Sequence, residues 1–303
     1  MPPALIGVDW GTSNFRAFLL DARGAVLDRR DGPHGILKVK DGDFAGVLRK
    51  EIGAWIAREK LPVLMSGMIG SRQGWLEGPY VTAPAAITDL AAALVPVSFE
   101  GAETRVVAGI ESAAGGMRDL MRGEETQVFG ALALLGRDEG RFVLPGTHSK
   151  WVGVEKGRII SIATYMTGEI YAAARAHTIL GRLMAEGSGN EAIFTRGVKD
   201  GAAPGGSGAL LNRLFGVRTA GLLGEIAASD LPDYLSGLLI GAEMSEAGQP
   251  ESRPISIIAS GDLAARYSAA AAELGIAAEV VPSDCVALGY VGIARAAGML
   301  HDA

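Results

Sequence analysis

The sequence predicts an α/β protein made of two similar halves. Three observations carry this: the length, a strand–turn–hairpin device that occurs twice at half-chain spacing, and strands that alternate with helical stretches. At 303 residues the chain exceeds what one hydrophobic core usually supports, and 49% hydrophobic residues are enough for two.

The elements follow in order. Residues 5–8 are a short apolar run, 15–21 alternate in part, and 24–29 follow a turn at Asp21-Ala22-Arg23, which reads as strand, hairpin and third strand. Phe44, Val47, Leu48, Ile52, Trp55 and Ile56 recur at helical spacing over 44–60, and 62–65 form an apolar strand that stops at Ser66-Gly67. The device then returns. Residues 141–144 read as a strand, Pro145-Gly146-Thr147-His148-Ser149-Lys150 as a small polar turn, and 151–155 and 158–163 as two strands around Lys156-Gly157. Helical patterns over 170–185, 222–227 and 234–247, a strand over 255–259, a helix over 262–274, a strand over 278–281 and a helix over 284–297 complete the chain. The glycine density of 197–208 suggests a flexible loop. These patterns divide the chain into domains 1–136 and 137–303.

Composition excludes several classes. A formal charge of −6 argues against a nucleic-acid surface, which needs clustered positive charge, so a small-molecule partner is expected. Cys285 is the only cysteine, which rules out an intramolecular disulfide and a cysteine metal cluster. No apolar run approaches the roughly 18 residues of a membrane span and no secretory leader pattern opens the chain, so a cytoplasmic location is expected. There is no Gly-Lys-Ser/Thr of a P-loop, no G-x-G-x-x-G between strand and helix, no G-x-S-x-G and no H-E-x-x-H.

The duplicated turn indicates chemistry. In Asp9-Trp10-Gly11-Thr12-Ser13-Asn14-Phe15-Arg16 a strand runs into a glycine and small polar residues, and Gly146-Thr147 repeats the arrangement. Glycine lets backbone N–H groups approach an anion, and the threonine hydroxyl adds a donor. Asp9 would repel bare phosphate unless a divalent cation lay between, and Mg²⁺ binds carboxylates together with nucleotide phosphates. Nucleotide-dependent phosphoryl transfer is the inference; a hairpin mouth that is only a turn is the alternative for either copy alone.

The motifs "DWGTSNFR" and "LPGTHSKW" resemble the two phosphate motifs of the superfamily that unites sugar kinases, actin and Hsp70-type ATPases. Within it, "SGMIGS", "MRGEETQVFGA", "LPGTHSKWV", "MTGE", "SGLLIGAE" and "ARY" are similar, in order along nearly the whole chain, to the 2-dehydro-3-deoxygalactonokinase family. The resemblance implies duplicated RNase H-like (actin/sugar-kinase-like) domains, each a mixed five-stranded sheet with helices, and a cleft between them. The first domain would bind sugar and the second ATP. It also implies ATP and Mg²⁺ as cofactors and phosphorylation of the 6-hydroxyl of 2-dehydro-3-deoxy-D-galactonate in galactonate breakdown. A kinase of a related sugar acid or amino sugar, or a non-catalytic sensor of the same fold, is the alternative. Homodimerisation is left open.

Residue roles follow from that chemistry. A primary hydroxyl needs a carboxylate to take its proton, and Glu124 or Glu125 at a helix start are the candidates, Glu124 the favoured one. Related sugar kinases carry an aspartate near this point, so the glutamate is a departure, and helix capping explains both acids without catalysis. Asp9 is assigned to the metal and the catalytic centre, and Gly11, Thr12, Ser13, Arg16, Gly146, Thr147, His148 and Lys150 to phosphates, an ion pair on the hairpin being the alternative for Lys150; "ASGDLAARY" resembles the family's adenosine motif, which implies Gly261 and Asp262 at the nucleoside, with a helix cap the alternative for Asp262. Ser66, Gly67, Arg72, Trp75 and Arg122 are assigned to the sugar acid, Arg122 because arginine offers paired donors to a carboxylate, with an ordinary partly buried aromatic the equal alternative for Trp75 and a surface arginine the alternative for Arg122.

Overall fold

The computed structural model describes residues 1–114, 116–187, 189–205, 208–248 and 254–300. The chain divides into two compact units: unit 1 is Met1–Gly140, Val152–Ala163 and Ser283–Ala303, and unit 2 is Arg141–Trp151 and Thr164–Pro282. The sequence reading placed one boundary at 136/137; the chain leaves unit 1 at Gly140 and returns to it twice.

Unit 1 opens with strands β1 (Pro3–Trp10), β2 (Phe15–Asp21) and β3 (Val26–Gly32). Asp21 closes the β2–β3 turn by accepting from the amides of Arg23 and Ala25, each at 2.9 Å. Helix α1 (Phe44–Arg58) starts where Asp43 accepts from the Gly46 amide at 2.8 Å, and of its predicted apolar face Phe44, Leu48, Ile52, Trp55 and Ile56 are buried while Val47 is half-buried. Then come β4 (Val63–Ser66), β5 (Tyr80–Thr82), β6 (Ala85–Ala86), α2 (Ile87–Ala92), β7 (Val95–Phe99), β8 (Ala102–Val106), β9 (Gly109–Ser112), β10 (Asp119–Met121) and α3 (Glu124–Leu135).

The main sheet has the order β3-β2-β1-β4-β8-β7. The five strands expected gain a sixth, β7. It forms a hairpin with β8 across Glu100 and Gly101, whose φ values of 49° and 69° make the tight turn that suits paired strands. Strands β1 and β4 run parallel with Asp9 opposite Ser66, so both strands end their C-terminal edge at the same level. A small sheet, β10-β9-β5, stands apart from this one.

Strands β11 (Gly140–Leu144), β12 (Ser149–Glu155) and β13 (Arg158–Tyr165) form the second copy of the device, with Lys156 and Gly157 again at positive φ. In unit 1, β13 pairs antiparallel with β6. Unit 2 continues through α4 (Thr167–His177), α5 (Glu191–Ala202), α6 (Ala209–Leu222), α7 (Leu231–Ala247), β14 (Ile255–Ile258), α8 (Gly261–Glu273) and β15 (Ala278–Val281); α9 (Val286–Ala296) belongs to unit 1. Strand β14 pairs in parallel with both β11 and β15.

Helix and loop expectations change as well, the helix read over 170–185 ending at His177. The helix read over 222–227 lies earlier, as α6, and ends at Leu222. Within the 197–208 stretch, residues 197–202 are the end of α5, while 206 and 207 lie outside the described residues. Gly197 and Gly201 are contact residues there. A Cβ on Gly197 would sit 2.3 Å from the Tyr234 carbonyl oxygen, and one on Gly201 2.1 Å from that of Leu238. Gly237 and Gly241 of α7 approach α5 in the same way, at 2.0 Å from the Phe194 and 2.2 Å from the Val198 oxygens. Small residues four apart on both helices let the two backbones meet, and no spare volume remains for a side chain.

Candidate functional site

The strand ends of unit 1 converge on a few residues. After β1 the chain turns through Gly11, Thr12, Ser13 and Asn14, with the Gly11 amide donating to the Asn14 carbonyl at 3.0 Å and the Ile36 amide to the Gly11 carbonyl at 3.0 Å. Thr12 and Ser13 are exposed. Asp9, facing the turn from the end of β1, is ion-paired with Arg16 of β2 and keeps 12% of its side chain exposed. Gly67, just past β4, has φ 92°, and a Cβ there would lie 2.8 Å from the Trp10 carbonyl oxygen. Gly123, at the start of α3, has φ 111° and would press on Gly67 Cα at 2.9 Å. Only glycine fits at both points, and it brings the α3 start beside Gly67 and Asp9.

Ser66 is fully buried, and its Oγ lies 2.6 Å from the hydroxyl of Tyr290. Tyr290 comes from α9, and its ring packs where a Gly7 Cβ would stand. Sequence reasoning missed Tyr290, because nothing local marks a tyrosine from the last helix as a neighbour of β1 and β4.

The two glutamates separate. Glu125 is fully buried, its carboxyl accepting from the Gly123 amide at 2.7 Å and from the Thr126 hydroxyl at 3.3 Å. Burial, and then the charge of Glu124, push its pKa up to about 8, so it holds a proton at neutral pH. Glu124 is the member of the pair that solvent reaches; its Oε2 accepts from the Arg122 amide at 3.0 Å. Both acids accept from backbone amides at the start of α3, and of the two only Glu124 is partly exposed.

Arg122 is 7% exposed. Its Nη2 donates to the Gly78 carbonyl at 2.8 Å, and its guanidinium lies 4.3 Å from the centre of the Tyr80 ring. Gly70 and Gly78 make room for it, since a Cβ on either would stand 3.0 or 3.1 Å from Nη1. Nε and Nη1 are buried and find no hydrogen-bond partner among the described residues. Two other residues assigned to the substrate have different surroundings. Trp75 stacks on Phe44 and meets Phe99 edge-on as part of the unit 1 core, and Arg72, with 86% of its side chain exposed, reaches Glu77 at 3.5 Å.

In unit 2 the second turn meets the first turn of α4. Glu169 donates its amide to the Thr147 carbonyl at 3.0 Å and holds the His148 ring at 2.5 Å, while a Cβ on Gly168 would lie 2.4 Å from the Gly146 oxygen. Thr147 and His148 are exposed; Lys150 is 6% exposed and its ammonium folds back to the His148 carbonyl at 3.4 Å. Beside this turn is a cavity of about 190 Å³ lined by Gly146, Thr167, Gly168, Ser236, Asp262 and Tyr267 among others. Gly261, at φ 60°, has open space around its Cβ position, and Asp262 pairs with Arg266, which also binds the buried Asp233 at 2.7 Å. Under the cavity, buried Glu243 of α7 gathers donors from Ser149, Trp151, Thr167 and Tyr267. The "MTGE", "SGLLIGAE" and "ARY" motifs pointed to these residues without giving them roles. Among the described residues no group of three or more His, Cys, Asp or Glu could hold a metal alone, and no helix is long and apolar enough to cross a membrane.

Residues 9–293 match the family described as 2-keto-3-deoxy-galactonokinase. A Rhizobium meliloti (strain 1021) protein assigned as a 2-dehydro-3-deoxygalactonokinase is 35% identical over 95% of this chain and 96% of its own. The 2-dehydro-3-deoxygalactonokinase of Escherichia coli (strain K12) is 32% identical over 94% of each. A Sinorhizobium meliloti crystal structure with the same assignment superposes with a TM-score of 0.86 at 33% identity, covering 97% of this chain and 95% of its own. At 14% identity, component A of the Acidaminococcus fermentans (R)-2-hydroxyglutaryl-CoA dehydratase, with a TM-score of 0.51 over 97% of this chain and 98% of its own, shares the actin-like fold alone.

Proposed function

The chain belongs to the 2-keto-3-deoxy-galactonokinase family, and from that premise and the geometry of its two units we propose that it transfers the γ-phosphoryl group of ATP to the 6-hydroxyl of 2-dehydro-3-deoxy-D-galactonate. The observation that carries the substrate reading is Arg122. A buried guanidinium with two unpaired nitrogens is costly, and a carboxylate is the partner whose geometry matches its fork. A neutral sugar's hydroxyls can accept from these nitrogens but supply neither a countercharge nor a paired fork. The acid end of the substrate thus belongs at Arg122, with Ser66 and Gly67 at the neighbouring strand end.

In the reaction the 6-hydroxyl oxygen forms a bond to the γ-phosphorus, the bond from that phosphorus to the β–γ bridging oxygen breaks, and ADP leaves. The hydroxyl proton passes to the carboxylate of Glu124. Glu125 already holds a proton near pH 7 and fixes the Gly123 amide instead. Catalysis of this kind is mostly positioning and charge stabilisation. In unit 1 exposed Thr12 and Ser13 offer donors to phosphate oxygens and Arg16 offers positive charge; unit 2, taken by itself, exposes Thr147. The unit 2 cavity is smaller than the roughly 300 Å³ at which whole drug-sized ligands are held, so it suits part of a nucleotide. Mg²⁺ keeps most of its waters, takes other ligands from nucleotide phosphates and needs only one or two carboxylates. Asp9, partly exposed at the turn, is the residue that would hold it. Bound there, the ion would supply neutralisation of phosphate charge.

Phosphorus NMR of the product made from ATP, Mg²⁺ and 2-dehydro-3-deoxy-D-galactonate tests this directly. A phosphomonoester resonance coupled to the two protons of C6 is expected. A resonance coupled to a ring or chain methine would overturn the regiochemistry, and release of inorganic phosphate alone would overturn the transfer.

A further inference from the structure

Glu243 is 3% exposed, yet its carboxylate collects four neutral donors from three separate elements. Ser149 Oγ at 2.7 Å and Trp151 Nε1 at 2.8 Å, both on β12, donate to Oε1; Tyr267 OH of α8, at 2.8 Å, and Thr167 Oγ1, the first residue of α4, donate to Oε2. A carboxylate has about four acceptor positions and no proton of its own to give, so these hydroxyls point their protons at Glu243, Tyr267 through its 2.8 Å contact rather than the longer 3.4 Å one to Ser149 Oγ. Thr167 and Tyr267 also line the cavity beside Gly146. Their protons being committed, what remains for an occupant is lone pairs.

We propose that Glu243 is a positioning residue for nucleotide binding: it fixes the hydroxyl polarity of the unit 2 cavity, so that this wall receives the hydrogen-bond-donating nucleoside end of ATP. The inference rests on the reading of unit 2 as the nucleotide half. A phosphate group carries only acceptors and gains nothing from lone pairs, whereas ribose hydroxyls and an exocyclic amine supply the protons that the wall lacks. Four directed bonds to one buried group also hold the α4 start, β12 and α8 in one arrangement before ligand arrives, which lowers the ordering cost of binding.

The test uses E243Q. The Trp151 N–H can only donate, so the amide oxygen of the variant stays at the Ser149 and Trp151 side and the amide nitrogen faces Thr167 and Tyr267. Both hydroxyls can accept from it, which preserves the packing and turns their protons outward. KM for ATP is expected to rise about tenfold, the effect of one lost hydrogen bond, while KM for the sugar acid stays within about twofold. Calorimetric titration of ADP is run in parallel, once with Mg²⁺ and once with EDTA. The same weakening in both supports nucleoside contact. Weakening confined to the Mg²⁺ arm would overturn the proposal, because the wall would then be serving a phosphate-bound cation; unchanged ADP binding by E243Q would overturn it as well. If E243Q does not fold, T167V keeps the shape and removes one wall hydroxyl, and the same pattern is required of it, with T167S restoring the wild-type values. Absence of ADP binding by the wild type would instead contradict the assignment of nucleotide to unit 2.

Discussion

Replacement of Glu125 by glutamine isolates a single buried proton. In the unfolded chain this carboxyl titrates near 4.5, and in the folded protein near 8. Between those values the native state keeps a proton that the unfolded state has lost, so rising pH disfavours folding through this group. The contribution is fully present below pH 4.5, declines by about 1.4 kcal/mol for each pH unit, and is exhausted above pH 8, a total of about 5 kcal/mol. Glutamine keeps an oxygen for the Gly123 amide and does not titrate. Urea unfolding of wild type and E125Q at pH 5, 6, 7, 8 and 9 gives the difference in stability at each pH, which removes the titration of all other groups to first order. The wild type should lose ground to the variant steadily up to pH 8 and then stop. Parallel curves for the two proteins would refute the reasoning, since they would mean that Glu125 is ionised in the native state like any exposed acid.

The remaining predictions concern the chemistry and the packing. E124Q should lower kcat by about 10² to 10⁴, the usual range for a lost general base, with ATP affinity by titration nearly unchanged; a near-normal rate would assign the proton elsewhere. R122K should raise KM for the sugar acid by about ten- to a hundredfold, because lysine cannot supply a planar fork, and leave KM for ATP where it was in steady-state assays. G241A should destabilise the protein by about 1 to 3 kcal/mol in urea titration, its methyl group being driven toward the Val198 carbonyl 2.2 Å away.

What could be read from the sequence was local. The turn after β1 and its copy after β11 were legible because glycine, threonine and a strand pattern recur together, and α1 because its apolar spacing matches a helix that buries one side. Trp75 was not legible: an aromatic in a glycine-rich loop looks the same whether it meets ligand or folds back onto Phe44 and Phe99. The glycines at 197 and 201 suggested mobility because glycine is shared by flexible loops and by helices that touch, and only the partner glycines at 237 and 241 decide between them. Tyr290 and Glu243 owe their roles to partners far along the chain, Ser66 in one case and Ser149, Trp151 and Thr167 in the other. Glu125 stood beside Glu124 with nothing in the sequence to separate them; burial does so.

A coupled assay of ADP release, with ATP, Mg²⁺ and a panel of 2-dehydro-3-deoxy-D-galactonate, its gluconate epimer, a neutral hexose and an amino sugar, tests the central claim most directly. Turnover with the galactonate compound well above all others is the predicted result. Turnover with the neutral sugar at a comparable kcat/KM, or none with any member of the panel, would contradict a sugar-acid kinase that recognises its substrate through Arg122.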